Sequence, residues 1–278
     1  MKSTPPKFFT QQIFSPVDPF QLHSIIMHSY SDQLLLPYTH PHSEWCNLDS
    51  SQLYHSNLKS QPQDWYYRTH PVHYTWNSNG YRCAEWHDIS WEHSRIIMGC
   101  SHAMGIGVTD QDTLAAHIPH AVNLAQPAVS VYHIQYNTLR LIDQGIRPLS
   151  VDILVPELSR AVYWAEHDWV DITAHDFHTR NTDLALPVQE YYRGLTAISP
   201  HAELMAWMTI RSIQALWQSH GVACRLWGLW FNSDIQYQHT LATPIDQARD
   251  LDPLGHAHPG RLTHQQWAQQ IMAACQYP

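Results

Sequence analysis

The chain has 278 residues, 44% hydrophobic and only 14% charged, with 24 acidic against 15 basic side chains and a formal net charge of −9. That length supplies one large folded core, while the acidic balance and the absence of clustered Lys and Arg argue against nucleic acid as a partner. No apolar run approaches the roughly 18 residues of a membrane span, and the five widely spread cysteines suit reduced thiols better than a disulfide framework.

Residues 1–73 are rich in Pro, Ser, Gln and His, with short apolar patches at 24–29 and 33–37. This segment is expected to be irregular, wrapping the core or mediating association, ahead of a domain covering 74–278. Its first residues, Met1–Phe9, lack the continuous apolar stretch of a signal peptide, so the expected location is the cytoplasm. An apolar run then ends abruptly at Gly99-Cys100-Ser101, which predicts a buried strand delivering Ser101 to the edge of a sheet. Thr113–Ile118 has helix-forming character, and Ala121–Ala125 reads as a second short strand.

Ser150–Val155 predicts another strand, after which residues 160–200, with Trp164, Trp169 and Asp176, read as a long excursion over the sheet's functional edge. Ala206, Ile210, Ile213 and Trp217 recur as one apolar helical stripe, and Gly221 ends that helix. Ala223–Trp230 predicts the next strand, and a terminal helix over Thr263–Ala274 should dock beside the first strand. The order matches an α/β protein of flavodoxin-like three-layer sandwich form with a mainly parallel sheet, in which ligands collect at the carboxyl ends of strands.

The Gly99-Cys100-Ser101 block resembles the first block of the SGNH or GDSL-type hydrolases, in a branch where Gly-Cys-Ser replaces Gly-Asp-Ser. The resemblance continues through Gly105–Val108, Asp112-Thr113 and Val122–Leu124, the last similar to the family's second block. Ala248–Asp250, followed by His258–Gly260 and His264, is similar to its final block, and Asn77–Arg82 with Glu85 resembles the lead-in.

The resemblance implies that Ser101 is a nucleophile and His258 its base. A serine hydroxyl needs such a base, and the base needs a third group to orient it. The family places an aspartate three residues before the histidine, where this chain has Gly255; Asp252 and Asp250 are the nearby carboxylates, with Asp252 weakly preferred. The implied oxyanion hole uses the Ser101 N–H and that of Ala128, which stands where the family has glycine. The family's third donor, an asparagine, is missing from Pro156–Arg160. Losing one donor costs about 100- to 1000-fold in rate. An ionised Glu157 in the hole would make matters worse, and Arg160 or Ser159 are the substitute donors.

Twenty-two histidines are the second unusual feature; their full protonation moves the formal charge from −9 to +13, so solubility or self-association should change across mildly acidic pH. His117 with His120, His175 with His178, and His256 with His258 are the close pairs, but no four-ligand or His-Glu-x-x-His pattern occurs. Neither a metal nor any other cofactor is expected. Beside a metal-dependent site built from the histidines, which ranks last, two function classes remain open. One is a serine esterase acting on a small-molecule or carbohydrate ester, with a carbohydrate O-deacetylase as the finer class that the resemblance implies. The other is a scaffold with weakened chemistry that serves as a homo-oligomer or as part of a larger assembly. Relatives of this branch look like bacteriophage proteins, which makes a virion the alternative location.

Overall fold

The computed structural model describes residues 34–37, 43–46, 49–165, 168–172, 186–197, 199–230, 237–252 and 257–275. Helix α1 (Ser51–Ser60) begins where the Ser50 hydroxyl accepts from the Leu53 N–H at 3.3 Å, which satisfies one of the donors exposed at a helix start. Strand β1 (Arg95–Gly99) leads into the short helix α2 (Ser101–Met104), then β2 (Ala121–Asn123), α3 (Val131–Asp143) and β3 (Ser150–Leu154). An antiparallel hairpin, β4 (Ala161–Ala165) and β5 (Asp168–Ile172), precedes α4 (Leu186–Ala197) and α5 (Ser199–Ser219). Strands β6 (Ala223–Gly228) and β7 (His239–Thr240) and helix α6 (Arg261–Ala274) complete the order.

Five strands form one parallel sheet in the order β2-β1-β3-β6-β7. From β1 the chain first adds β2 on one side and then returns to add β3, β6 and β7 on the other. This is the flavodoxin-like arrangement, and its topological switch point, where ligands bind, lies at the carboxyl ends of β1 and β3. Helices on both faces make it a three-layer α/β/α protein.

Side chains of successive strand residues point to opposite faces, and the core divides accordingly. Ile96, Met98, Val151, Ile153, Cys224 and Leu226 pack with Ile134 and Leu141 of α3 and with Ala206, Ile210, Ile213 and Trp217 of α5. On the other face Ile97, Leu154 and Trp227 pack with Ala103, Met104 and with Trp267 and Ile271 of α6. The apolar stripe of α5 is buried to 1% exposure or less at all four predicted positions, and α6 docks on the face carrying Ile97 as its position in the sequence required.

Two stretches differ from expectation. Thr113–Ile118 contains only a 3-10 turn over Ala115–His117, because the Leu114 N–H donates to His264 Nδ1 and the Ala116 N–H to Thr113 Oγ1, diverting donors that an α-helix would use. The excursion after β3 contains the β4–β5 hairpin, with Trp164 opposite Trp169; Asp176 lies outside the described residues. So does the apolar patch at 24–29, whereas Leu35 and Leu36 are buried.

Gly99 fixes how β1 ends. It has φ +146, and a Cβ there would stand 2.7 Å from the Leu154 carbonyl oxygen and 2.9 Å from the Ala103 Cβ. Only glycine permits β3 and α2 to close this tightly on the strand end, which sets Ser101 directly over the switch point.

Candidate active site

Ser101 is the first residue of α2, with Cys100 in extended conformation at the cap. A helix's first N–H groups have no carbonyl partner within the helix, and the Ser101 N–H donates to no protein acceptor among the described residues. The Ala128 N–H is likewise uncommitted there. Ala128 adopts φ +61, a left-handed conformation that costs a residue with a Cβ roughly 1–2 kcal/mol. Strain of this kind persists where the surroundings impose it and tends to mark functional sites. It gives Ala128 the kind of backbone conformation that a glycine would take without cost.

The loop after α2 is shaped by Arg82. Its Nη1 donates to the carbonyls of Met104 (3.3 Å) and Gly105 (2.5 Å), its Nη2 to Val108 (2.7 Å), and its Nε to Asp110 (2.7 Å). Inside this loop the Gly107 N–H donates to the Tyr74 hydroxyl at 2.8 Å, and that hydroxyl donates to Asp49 at 2.5 Å. Gly107 has φ +76, and a Cβ on it would meet the Ala248 Cβ at 2.7 Å, the Arg249 nitrogen at 3.0 Å and Asp250 Oδ1 at 3.1 Å. The loop of the first block and the last block therefore lie in direct contact, joined by the Arg249 N–H to the Gly107 carbonyl at 3.0 Å.

That contact presents a carboxylate to the histidine. Asp250, 3% exposed, accepts the His258 backbone N–H at 3.1 Å through Oδ1 and holds the imidazole Nδ1 through Oδ2. A carboxylate only accepts, so Nδ1 is the donor, and Nε2 is the acceptor of the neutral ring. The Ala248 N–H to the His258 carbonyl (2.8 Å) closes the segment on itself. Of the two candidate carboxylates, Asp250 is the one the structure sets on the imidazole.

His102, next to Ser101, was not singled out by sequence reasoning, although it lies inside the first block. Its ring centroid is 5.0 Å from that of His258 and 5.1 Å from Trp230, which meets it edge-on. Burial holds its pKa well below the usual imidazole range, and a positive charge on His258, Arg160 or His264 acts in the same direction. A neutral ring thus fills the space beside His258 without competing for its charge.

The structure brings Asp250 and His258 together and puts the residue after Ser101 against the His258 ring. No hydrogen bond joins Ser101 Oγ to His258 among the described residues, and Ser101 is 7% exposed. Catalytic hydrogen bonds commonly tighten only when substrate is bound. Glu157 turns outward, its side chain 47% exposed and 3.7 Å from the Arg160 Nε.

Among the described residues no group of three or more His, Cys, Asp or Glu side chains could hold a metal ion. His175, His178 and His256 lie outside the described residues. Asp49 and Asn57 grip the Asp250 segment from far away in sequence, and no local pattern announces it.

No protein-family model matches the chain, and no curated protein matches it. Among solved structures it is similar to a GDSL-like lipase from Bacteroides thetaiotaomicron, with 11% identity and a TM-score of 0.28 over 66% of this chain and 88% of that one. At that identity and TM-score the likeness assigns no residue a role.

Proposed function

We propose that this protein is a serine ester hydrolase of the SGNH type, with Ser101 as nucleophile, His258 as general base, Asp250 as the group that orients it, and the N–H groups of Ser101 and Ala128 as oxyanion donors. The observation that carries this reading is the doubly held Asp250–His258 pair, packed onto the loop that follows Ser101. The two uncommitted N–H groups, one of them kept by a strained alanine, support it.

Each step follows from the arrangement. His258 Nε2 takes the Ser101 proton as Oγ attacks the ester carbonyl, and Asp250 stabilises the resulting imidazolium. Negative charge gathers on the carbonyl oxygen, where the two N–H groups receive it. Collapse expels the alcohol with the proton from Nε2, leaving an acyl-serine. Water, deprotonated by the same nitrogen, then releases the acid and restores the serine. Trp230, beside His102, offers an aromatic wall to the substrate, which we place among small-molecule or carbohydrate esters, an acetylated sugar being the finer assignment.

The experiment is hydrolysis of 4-nitrophenyl acetate and butyrate at pH 8 by the wild type and the Ser101→Ala and His258→Ala variants, with chelator present. Turnover lost in both variants and unaffected by chelator is the expected result, and equal rates in all three would overturn the reading. One observation favours a second reading, a scaffold that has outlived its chemistry: Ser101 Oγ makes no hydrogen bond to His258 among the described residues. Equal rates would point there.

A further inference from the structure

Arg160 sits in the turn after β3, three residues beyond Glu157. Its side chain is only 9% exposed, which is unusual for a guanidinium because burying a charge is costly unless its donors are matched. They are poorly matched. Nη1 donates to the Val129 carbonyl at a long 3.3 Å. Nε is buried and has no hydrogen-bond partner among the described residues. Its acidic neighbour, Glu157, is 3.7 Å away, beyond hydrogen-bond range, and half in solvent.

A buried cation with a spare donor is placed for something other than its own stability. The position says what. Val129 directly follows Ala128, the strained residue of the oxyanion site, so the guanidinium rests against the backbone turn that presents the Ala128 N–H. Its charge also reaches His102, the residue after Ser101, whose imidazole it helps to keep neutral.

We infer that Arg160 completes the oxyanion site, its positive charge, held against the Ala128–Val129 turn, stabilising the anion that forms on the ester carbonyl oxygen at Ser101. The inference rests on the ester-hydrolase reading. A guanidinium supplies a full charge where an asparagine supplies a dipole, and hydrogen bonds to charged groups are the stronger kind. Glu157 tempers that charge from outside.

Replacing Arg160 with Gln, which can keep a hydrogen bond to the Val129 carbonyl but removes the charge, should lower kcat for 4-nitrophenyl acetate about 100-fold, as for loss of one oxyanion donor, with KM little changed. Arg160→Lys, which keeps the charge and loses the planar fork, should retain more of kcat than Arg160→Gln. A merely structural role predicts the reverse order, because Gln preserves the shape of the contact better. Far-ultraviolet circular dichroism sets the folded fraction of each variant. Should Arg160→Gln fail to fold, Glu157→Gln decides, since removing the half-exposed counter-charge should raise kcat about twofold to fivefold. An Arg160→Gln enzyme as fast as wild type, a Lys variant no better than Gln, or an unchanged or lowered rate in Glu157→Gln would overturn the inference. Ser101→Ala runs alongside: full activity there would sink the ester-hydrolase reading itself, whereas its loss with Arg160→Gln intact sinks only the role of Arg160.

Discussion

Asp49 and Arg249 form a buried two-point ion pair, Nε to Oδ1 at 3.0 Å and Nη2 to Oδ2 at 2.6 Å, across 200 residues of sequence. The guanidinium also donates to the Glu44 carbonyl and lies 4.3 Å from the Trp45 ring centroid. Asn57 on α1 adds hydrogen bonds to the Arg249 and Leu251 carbonyls at 3.2 and 2.6 Å. The residues on both sides of Asp250 are thus held by a segment that precedes the sheet.

Asp49→Ala would leave the Arg249 charge buried at 4% exposure with no counter-charge, a change worth about 3–5 kcal/mol of stability. Urea unfolding at pH 8 should show that loss. The double variant Asp49→Leu with Arg249→Met, which removes both charges and keeps the volume, should recover much of it. A single-variant loss below about 1 kcal/mol would place the pair with exposed ones and remove the argument that it holds the Asp250 segment.

Asp250 and Asp252 stand two residues apart, and the contacts of His258 separate their roles. Asp250→Asn should lower kcat about 10,000-fold, because the amide can favour the wrong imidazole tautomer while the geometry survives. Asp252→Asn should stay within about threefold of wild type, as is usual for a residue outside the reacting set. Comparable losses in the two variants would contradict the assignment.

Ala128 offers a test through backbone conformation. Alanine to glycine in a loop ordinarily costs about 0.5–1 kcal/mol through the unfolded chain, but at φ +61 glycine also relieves about 1 kcal/mol of strain. Ala128→Gly should therefore leave the melting temperature within about 2 °C of wild type and leave kcat intact. Ala128→Val, β-branched and worse in this conformation, should lower both. A glycine variant that melts well below wild type would mean the strain is not there.

Much of the sheet was legible because its strands are apolar runs that stop at turns and α5 carries a single stripe. Ile96–Gly99, Val151–Leu154 and Ala206–Trp217 declare themselves by period and composition. Ser101 and His258 were legible as candidates through motif blocks. The choice of Asp250 was not, since the histidine's partner depends on how Gln247 bridges Pro259 and on Gly107 admitting Asp250 beside it. Asp49, Asn57 and Tyr74 were invisible for a related reason: their partners lie far along the chain, and nothing in a local window encodes a contact at a separation of 200 residues. The guanidinium of Arg160 was a candidate by elimination, but its burial and its spare Nε exist only in three dimensions.

His264 ties stability to pH. Its Nδ1 accepts the Leu114 N–H at 3.1 Å, and the ring is fully buried. Burial, reinforced by the charges of Arg82, His117 and His258, pushes its pKa down from 6.5 to about 3. Above pH 6.5 the ring is neutral in both folded and unfolded chains and contributes no pH dependence. Below 6.5 the unfolded chain takes up a proton that the folded chain refuses, so stability falls with pH and continues to fall until about 3. At pH 5 this single ring should cost about 2 kcal/mol, and His102, shifted in the same direction, adds to the loss. His264→Gln retains an acceptor for Leu114 and removes the titration, so urea midpoints measured from pH 8 to pH 5 should decline less steeply in that variant than in wild type. Parallel slopes would show that His264 takes up its proton in the folded protein as readily as in the unfolded one.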